Sequence, residues 1–243
     1  MQLLFIFLNI ALTAVLPLAI LAALLIRKKW RPFAKPYLLG AATMLVFQFI
    51  TRIPLLQLLA GTTGFIVFSA TNPVLYLALL ALTAGLFEEA GRHIMMSLFL
   101  KNRTAWADGV LFGLGHGFLE ALLLVGVNYA VAMLLMPMPL LTASPALLLL
   151  AGLERLLTLV WHTGFSLLVL HGVKTKKRWP LPAAIAAHAL LDFTMVPLLA
   201  GSLPYWASYG IFALITLPVL GGILYIKKRW TPKAEGVSHE ENT

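Results

Sequence analysis

Long apolar segments recur along almost the whole chain, and this feature leaves few folds open to it. Seven of these segments could each cross a hydrocarbon core of about 30 Å at a helical rise of about 1.5 Å per residue. The chain is 60% hydrophobic and only 11% charged, with a mean hydropathy of +0.92, which is too apolar for a soluble domain. We therefore predict an all-α fold, a polytopic transmembrane helical bundle.

The predicted bundle has about seven helices, and a single domain of residues 1–230 contains them all. The helices are expected at residues 3–26, 37–60, 73–100, 106–135, 146–173, 180–199 and 204–226. A short polar tail, residues 231–243, is expected to follow. The first helix does not have the pattern of a cleaved signal peptide, because the positive charge follows its apolar stretch instead of preceding it.

Basic residues cluster on one side of this predicted bundle. Fifteen of the eighteen Lys and Arg residues follow the first, third, fifth and last helices, whereas the opposite loops, residues 61–72, 136–145 and 200–203, contain none. The positive-inside rule then places the N-terminus outside and the C-terminus in the cytoplasm. The same asymmetry explains the net charge of +9 without a nucleic-acid partner, since these residues face an anionic leaflet of the lipid bilayer.

Apart from Asp108 at an inner helix end, eight charged residues remain inside the predicted helices. A charged side chain at the bilayer centre costs a few kcal/mol even on lenient insertion scales, so such residues are candidates for function. We expect Arg52, near the outer end of its helix, to reach the interface or to pair with a buried acid. The eight residues are Arg52, Glu88, Glu89, Arg92, Glu120, Glu154, Arg155 and Asp192.

Depth divides the intramembrane polar residues into two layers. Glu89, His116, His162 and His188 each lie roughly eight to eleven residues from the basic end of their helix, or about 12 to 17 Å at helical rise. We expect an inner layer that consists of Glu88 or Glu89 together with His116, His162 and His188. Residues one or two turns further out should form a second layer that orients the first; they are Glu120, Glu154, Arg155 and Asp192.

Spacing along each helix suggests how these groups pair. Side chains three or four residues apart share a helix face, which places Arg92 near both Glu88 and Glu89. His116 with Glu120, and His188 with Asp192, repeat an i,i+4 spacing in which a carboxylate can fix the tautomer of a histidine. Gly113 and Gly117, on either side of His116, form a small-residue face that allows close approach of another helix.

These residue types can supply the groups that peptide hydrolysis requires. A general base, an oxyanion donor and an acid for the leaving amine can all come from glutamate and histidine. The chain has no cysteine, which excludes a thiol nucleophile and thiolate zinc sites. His116, His162 and His188 are candidate zinc ligands, although the His-Glu-x-x-His spacing of soluble metalloproteases is absent. A zinc-dependent site and a metal-free site both remain open.

Three short motifs within residues 38–193 resemble those of a known family. They are Glu-Glu-Ala-Gly-Arg at residues 88–92, Phe-Gly-Leu-Gly-His at 112–116 and His-Ala-Leu-Leu-Asp at 188–192. Together they resemble the membrane proteases grouped with the CAAX-prenyl endopeptidases and bacteriocin-processing enzymes, and most closely the YhfC-type intramembrane metalloproteases. The Gly-His-Gly-Phe-Leu-Glu segment at 115–120, and Glu154-Arg155 followed by His162, look like the YhfC branch.

The resemblance implies roles for individual residues. Glu88 or Glu89 with His116 would activate water, while His188 and Asp192 would stabilise the oxyanion or complete a metal site. The residues implied to support them are Arg92, Glu120, Glu154, Arg155 and His162. The arginine lies one position closer to the glutamates than in the CAAX enzymes, which leaves the identity of the base open, and Asp192 stands where an amide is more usual.

The sequence thus predicts an intramembrane endopeptidase that cleaves a peptide or membrane-protein substrate, located in a bacterial cytoplasmic membrane. Intramembrane carboxylates and histidines also build proton relays, so a proton-coupled transporter is one alternative. A non-catalytic membrane protein of the immunity type is another. In a structural interpretation, Glu88, Glu89 and Arg92 would form an ion pair on a packed helix, and His162 would make an interhelical hydrogen bond.

Overall fold

The computed structural model describes residues 1–200 and 203–230, except for the side chains of residues 196–200. These residues are helical almost throughout, and no strand occurs among them. The predicted polar tail, residues 231–243, and part of the predicted loop at 200–203 lie outside the described residues.

Among the described residues, seven long helices make up the bundle, and two short helices connect some of them. Six of the long helices are long and apolar enough to cross a membrane; they are α1 (Gln2–Ile26), α2 (Lys28–Ala60), α4 (Pro73–Phe99), α5 (Trp106–Leu135), α7 (Pro145–Thr175) and α9 (Tyr205–Arg229). The seventh long helix is α8 (Pro180–Ala200), and the short helices are α3 (Thr63–Thr71) and α6 (Met138–Thr142). The predicted all-α, polytopic bundle is therefore confirmed.

Helix α2 begins earlier than the sequence predicts. The expected start was residue 37, whereas the α-helical part begins at Arg31 and includes Pro36. Ala34 and Tyr37 are buried in an apolar cluster with Phe118, and the Tyr37 hydroxyl donates a hydrogen bond to the carbonyl of Pro17 at 3.0 Å. Tertiary packing of this kind outweighs the low helix propensity of proline.

Glycines bring the helices around the centre of the bundle into close contact. A Cβ at Gly113 would lie 2.6 Å from the Cα of Thr163 on α7, and a Cβ at Gly115 would lie 1.9 Å from the carbonyl oxygen of Tyr37 on α2. Gly85 of α4 meets the backbone of α8 in the same way. Small residues let helix backbones approach closely in membranes, as the spacing around His116 predicted.

Three of the long helices contain a π-helical segment. These are Ala11–Val15 in α1, Leu45–Arg52 in α2 and Leu122–Gly126 in α5. A π segment inserts an extra residue into a helical turn and is frequent near functional sites. The segment in α2 is the longest of the three and carries two polar residues, Gln48 and Arg52, that point into the bundle.

Candidate active site

Four helices bring the predicted inner layer together in the interior of the bundle. Glu88 on α4, His116 on α5, His162 on α7 and His188 on α8 are all at most 5% exposed. The ring centroids of His116 and His162 lie 4.9 Å apart, and those of His162 and His188 lie 6.1 Å apart. The residues that were expected at one depth are therefore neighbours in space.

Glu88 directs its carboxylate into this group of histidines. Its Oε1 accepts a hydrogen bond from Nε2 of Gln48 at 2.7 Å, and its Oε2 lies 3.0 Å from Nε2 of His116. Nε2 of His188 lies 3.9 Å from the same Oε2 atom. Glu88 also lines the central cavity, so its carboxylate can meet a bound water or substrate.

Glu89 occupies a different environment, although it is the next residue in the chain. Its side chain is fully buried, and both carboxylate oxygens accept hydrogen bonds from Nη1 of Arg92, at 2.6 and 2.7 Å. Oε1 also lies 2.8 Å from Nδ1 of His188. Glu89 is not among the residues that line the cavity. The two glutamates thus separate into one that faces the cavity and one that holds an arginine and a histidine.

The outer layer forms a hydrogen-bonded network behind His162. Nε2 of His162 lies 2.5 Å from Oε2 of Glu120, and the other oxygen of Glu120 accepts a hydrogen bond from Arg155 at 2.8 Å. Arg155 also binds Glu154 through both Nε and Nη2. Arg155 therefore joins two carboxylates, and one of them orients His162.

The two expected i,i+4 pairings of a histidine with a carboxylate have different outcomes in the structure. His116 binds Glu88, and Glu120 binds His162, so the i,i+4 pair of His116 with Glu120 gives way to contacts between helices. The buried partner on a neighbouring helix is closer to each group than the partner one turn away. The second pair, His188 and Asp192, has its closest N–O approach at 3.8 Å, which is an ion-pair distance and too long for a hydrogen bond.

A cavity of about 460 Å³ lies against these residues. Apolar side chains such as Leu80, Phe165 and Phe212 form part of its wall. The polar and charged side chains that line it are Gln48, Arg52, Glu88, Glu120, Glu154, Arg155, Thr158, Trp161, His162, His188 and Asp192. Asp192 is the most open of the paired carboxylates, with 37% of its side chain exposed. The cavity can therefore hold water and a polar group within an otherwise apolar bundle.

Gln48 was not among the predicted site residues, and of the two environments expected for Arg52 the structure excludes the interface. Arg52 is only 9% exposed, and it donates hydrogen bonds to Gln48, to Thr83 and to the carbonyl of Leu80. It does not extend to the interface, and it contacts Glu88 only through Gln48. An intramembrane arginine four residues after an amide was the available signal, since the two share a helix face.

The residues also meet a chemical requirement for a metal ion. Ligand atoms of Glu88, His116 and His162 all lie within 4.8 Å of one another, and all three residues are buried. Nδ1 of His116 is buried with no hydrogen-bond partner among the described residues. Two imidazoles and a carboxylate form a ligand set that zinc accepts, and the contact of His162 with Glu120 is typical of a histidine that binds metal. The predicted zinc ligands were His116, His162 and His188, and in the structure Glu88 replaces His188 as the third member of the group.

Comparison with known proteins identifies similar sequences. The profile of the YhfC intramembrane metalloprotease family matches residues 13–139 and 131–216 of this chain. The uncharacterised membrane protein YhfC of Bacillus subtilis strain 168 is 30% identical over an alignment of 243 residues, which covers 87% of this chain and 88% of that protein. No solved structure matches the chain.

Proposed function

The chain belongs to the YhfC intramembrane metalloprotease family, and we propose that it is an endopeptidase that hydrolyses peptide bonds of membrane-associated substrates. The observation that carries this proposal is the position of the Glu88 carboxylate, which faces the cavity and lies within reach of three histidines. A charged group at this depth is costly unless it serves a function or is fully paired.

Glu88 is the proposed general base. Gln48 and His116 hold its carboxylate, and its Oε2 faces Nε2 of His188 at 3.9 Å, so one water molecule can contact both groups. A proton lost by the attacking water passes to Glu88. A base that lies within hydrogen-bond distance of water is the first geometric requirement of this chemistry.

His188 is the proposed carrier of that proton to the leaving amine. The carboxylate of Glu89 binds Nδ1 of His188, which leaves Nε2 available towards the cavity. A histidine held in this way can accept a proton at Nε2 and then release it to the amine. Asp192, whose carboxylate lies 3.8 Å from the same Nε2, stabilises the protonated ring.

Glu88, His116 and His162 are the residues that would hold a zinc ion, and Glu88 would then be a ligand in place of its role as the base of a metal-free site. When bound, zinc would polarise the scissile carbonyl and lower the pKa of water. Glu120 would then orient His162 through their 2.5 Å contact, and Arg155 would hold Glu120 in place. These partly buried partners support the ligands from the cavity wall.

The basic loops support the proposed orientation. We place the N-terminus outside and the C-terminus in the cytoplasm of a bacterial membrane, with Trp106, Trp179 and Trp230 near the inner interface. Aromatic contacts of Lys174 with Trp230, and of Lys227 with Trp106, join the basic ends of α5, α7 and α9. These contacts support a common basic end of the bundle.

Mass spectrometry of new peptide N-termini tests the proposed function. Membranes from cells that express the wild type are compared with membranes containing Glu88→Gln or Gln57→Leu, the second of which changes an exposed residue of α2. We expect new N-termini in the membranes that contain the wild type or the Gln57→Leu variant. The same N-termini should be absent from the membranes that contain Glu88→Gln. The same N-termini in the Glu88 variant would contradict the proposal, and proton uptake by proteoliposomes without cleavage would favour a transporter.

A further inference from the structure

We propose that Gln48 is a positioning residue that holds the Glu88 carboxylate in one orientation, and that Arg52 determines which end of the Gln48 amide faces Glu88. The inference rests on the proposed role of Glu88. It concerns two residues of α2 that lie outside the three sequence motifs. Both are nearly buried, at 8% and 9% exposure.

The direction of the Gln48 amide follows from the chemistry of its two partners. A guanidinium group can only donate hydrogen bonds, so the atom that faces Arg52 must be the amide oxygen. Nη1 of Arg52 lies 3.0 Å from this oxygen. The amide nitrogen is then directed to Glu88, where Nε2 donates to Oε1 at 2.7 Å. A reversed amide would place donor against donor at Arg52 and oxygen against oxygen at Glu88.

Arg52 is itself held by the helix that carries Glu88. Its Nε donates to the hydroxyl of Thr83 at 3.1 Å, and its Nη2 donates to the carbonyl of Leu80 at 2.6 Å. Both acceptors belong to α4, one to two turns before Glu88. The path from α4 through Arg52 and Gln48 back to Glu88 is therefore a closed set of hydrogen bonds, which limits the motion of each member.

This arrangement distinguishes the two oxygens of Glu88. Oε1 is occupied by Gln48, so Oε2 is the atom left for His116 and for chemistry in the cavity. Without the Gln48 donor, Oε1 would lose its hydrogen bond and the carboxylate could rotate. The π-helical segment Leu45–Arg52 carries both polar residues on the cavity side of α2, where each lines the cavity wall.

The test uses two measurements on the purified full-length chain in detergent. The first isolates the carboxylate bands of Glu88 as the infrared difference between the wild type and Glu88→Gln, and follows these bands in Gln48→Leu. The second measures zinc affinity by competition with a chelator. The variants are Gln48→Leu, Arg52→Leu and Arg52→Lys, with Gln57→Leu on the exposed side of α2 as the matched control.

We expect Gln48→Leu and Arg52→Leu to shift the Glu88 carboxylate bands and to weaken zinc binding about tenfold, the lower end of the effect of outer partners on metal sites. Arg52→Lys keeps a group that can only donate, so it should keep most of the affinity. Gln57→Leu should change neither measurement. Unshifted bands and wild-type zinc affinity in a folded Gln48→Leu protein would overturn the proposal.

Three further outcomes are also decisive. If Gln48→Leu fails to fold, Gln48→Asn keeps the amide but shortens it, and the same band shift is expected. If the wild type cleaves no peptide, the proposed function fails, whereas the infrared bands still decide whether Gln48 orients Glu88. If the wild type binds no zinc, the infrared bands alone decide. Glu88 carboxylate bands at the wild-type frequencies in both Gln48 variants would then contradict the proposal.

Discussion

Nδ1 of His188 lies 2.8 Å from Oε1 of Glu89, on a helix that is separated from Glu89 by about a hundred residues of sequence. Glu89 is also ion-paired with Arg92, so its carboxylate is an acceptor and Nδ1 of His188 carries a proton. The other ring nitrogen is then directed towards Glu88 and Asp192. This contact gives the two adjacent glutamates separate tasks, because Glu88 meets the cavity while Glu89 orients the histidine opposite it.

The two glutamates should therefore respond differently to the same substitution. Glu88→Gln should lower the cleavage rate by about 10² to 10⁴, the usual contribution of a general base, in a protein of near wild-type stability. Glu89→Gln removes the charge that compensates buried Arg92, and the loss of one partner of a buried pair costs about 3–5 kcal/mol. Unfolding in detergent measures the second effect. A Glu89 variant as stable as the Glu88 variant would argue against this division.

Zinc content should depend on two histidines and be independent of a third. We expect His116→Asn and His162→Asn to purify without stoichiometric zinc, and His188→Asn to retain it, because the group of ligand atoms within 4.8 Å of one another includes the first two histidines and not His188. His93→Asn is the control, since His93 contacts Ser97 outside the cavity. Elemental analysis of the purified variants makes the comparison. Zinc that is retained without His162 and lost without His188 would show that the ligand set is different.

Close packing at Gly115 predicts a large effect of one methyl group. Gly115→Ala would place a Cβ 1.9 Å from the carbonyl oxygen of Tyr37, so α2 and α5 must move apart. Overpacking of this kind costs about 1–3 kcal/mol. Gly221→Ala is the matched control, because no atom lies within 4 Å of its added Cβ. Thermal unfolding in detergent compares them, and equal stabilities would mean that the helices are less closely packed than described.

The proposed orientation can be measured directly because the chain has no cysteine. Thr62→Cys lies in an outer loop and Asn102→Cys in a basic loop, both exposed. An impermeant thiol reagent added to intact cells should label the first variant and leave the second unlabelled until the membrane is permeabilised. The positive-inside rule gives this expectation. Labelling of the Asn102 variant alone in intact cells would show that the orientation is opposite to the one proposed.

The sequence predicts the fold better than it predicts the contacts. Helical rise is regular, so counting residues from the basic loops placed Glu89, His116, His162 and His188 at a common depth, and the structure brings them together. The rotation of each helix about its axis is set by packing at residues such as Gly113 and Gly115, which the count does not include. This is why the hydrogen-bond partners of His116 and Glu120 were assigned within one helix instead of between helices.

Arg52 and Gln48 illustrate a second reason why side-chain contacts are harder to predict from sequence than the fold. Arg52 lies near an end of the predicted second helix, where snorkelling to the interface is the common behaviour of arginine. Its actual environment depends on Thr83 and Leu80 of α4, a helix whose approach the local sequence does not encode. Gln48 carries no charge, so the cost of a charged side chain in the membrane, which selected the other candidate residues, did not select it. The contact of a neutral amide with a buried carboxylate can be predicted only when the position of the neighbouring helix is known.

Incorporation of oxygen from labelled water tests the central claim most directly, namely that Glu88 activates water for peptide hydrolysis. A substrate found from the new N-termini is incubated with the purified, reconstituted protein in H₂¹⁸O, and the new C-terminus is analysed by mass spectrometry. Hydrolysis by the wild type should place one ¹⁸O atom in the new carboxylate, and Glu88→Gln should yield little or no product. Product that forms at the wild-type rate in the folded Glu88 variant would contradict the account.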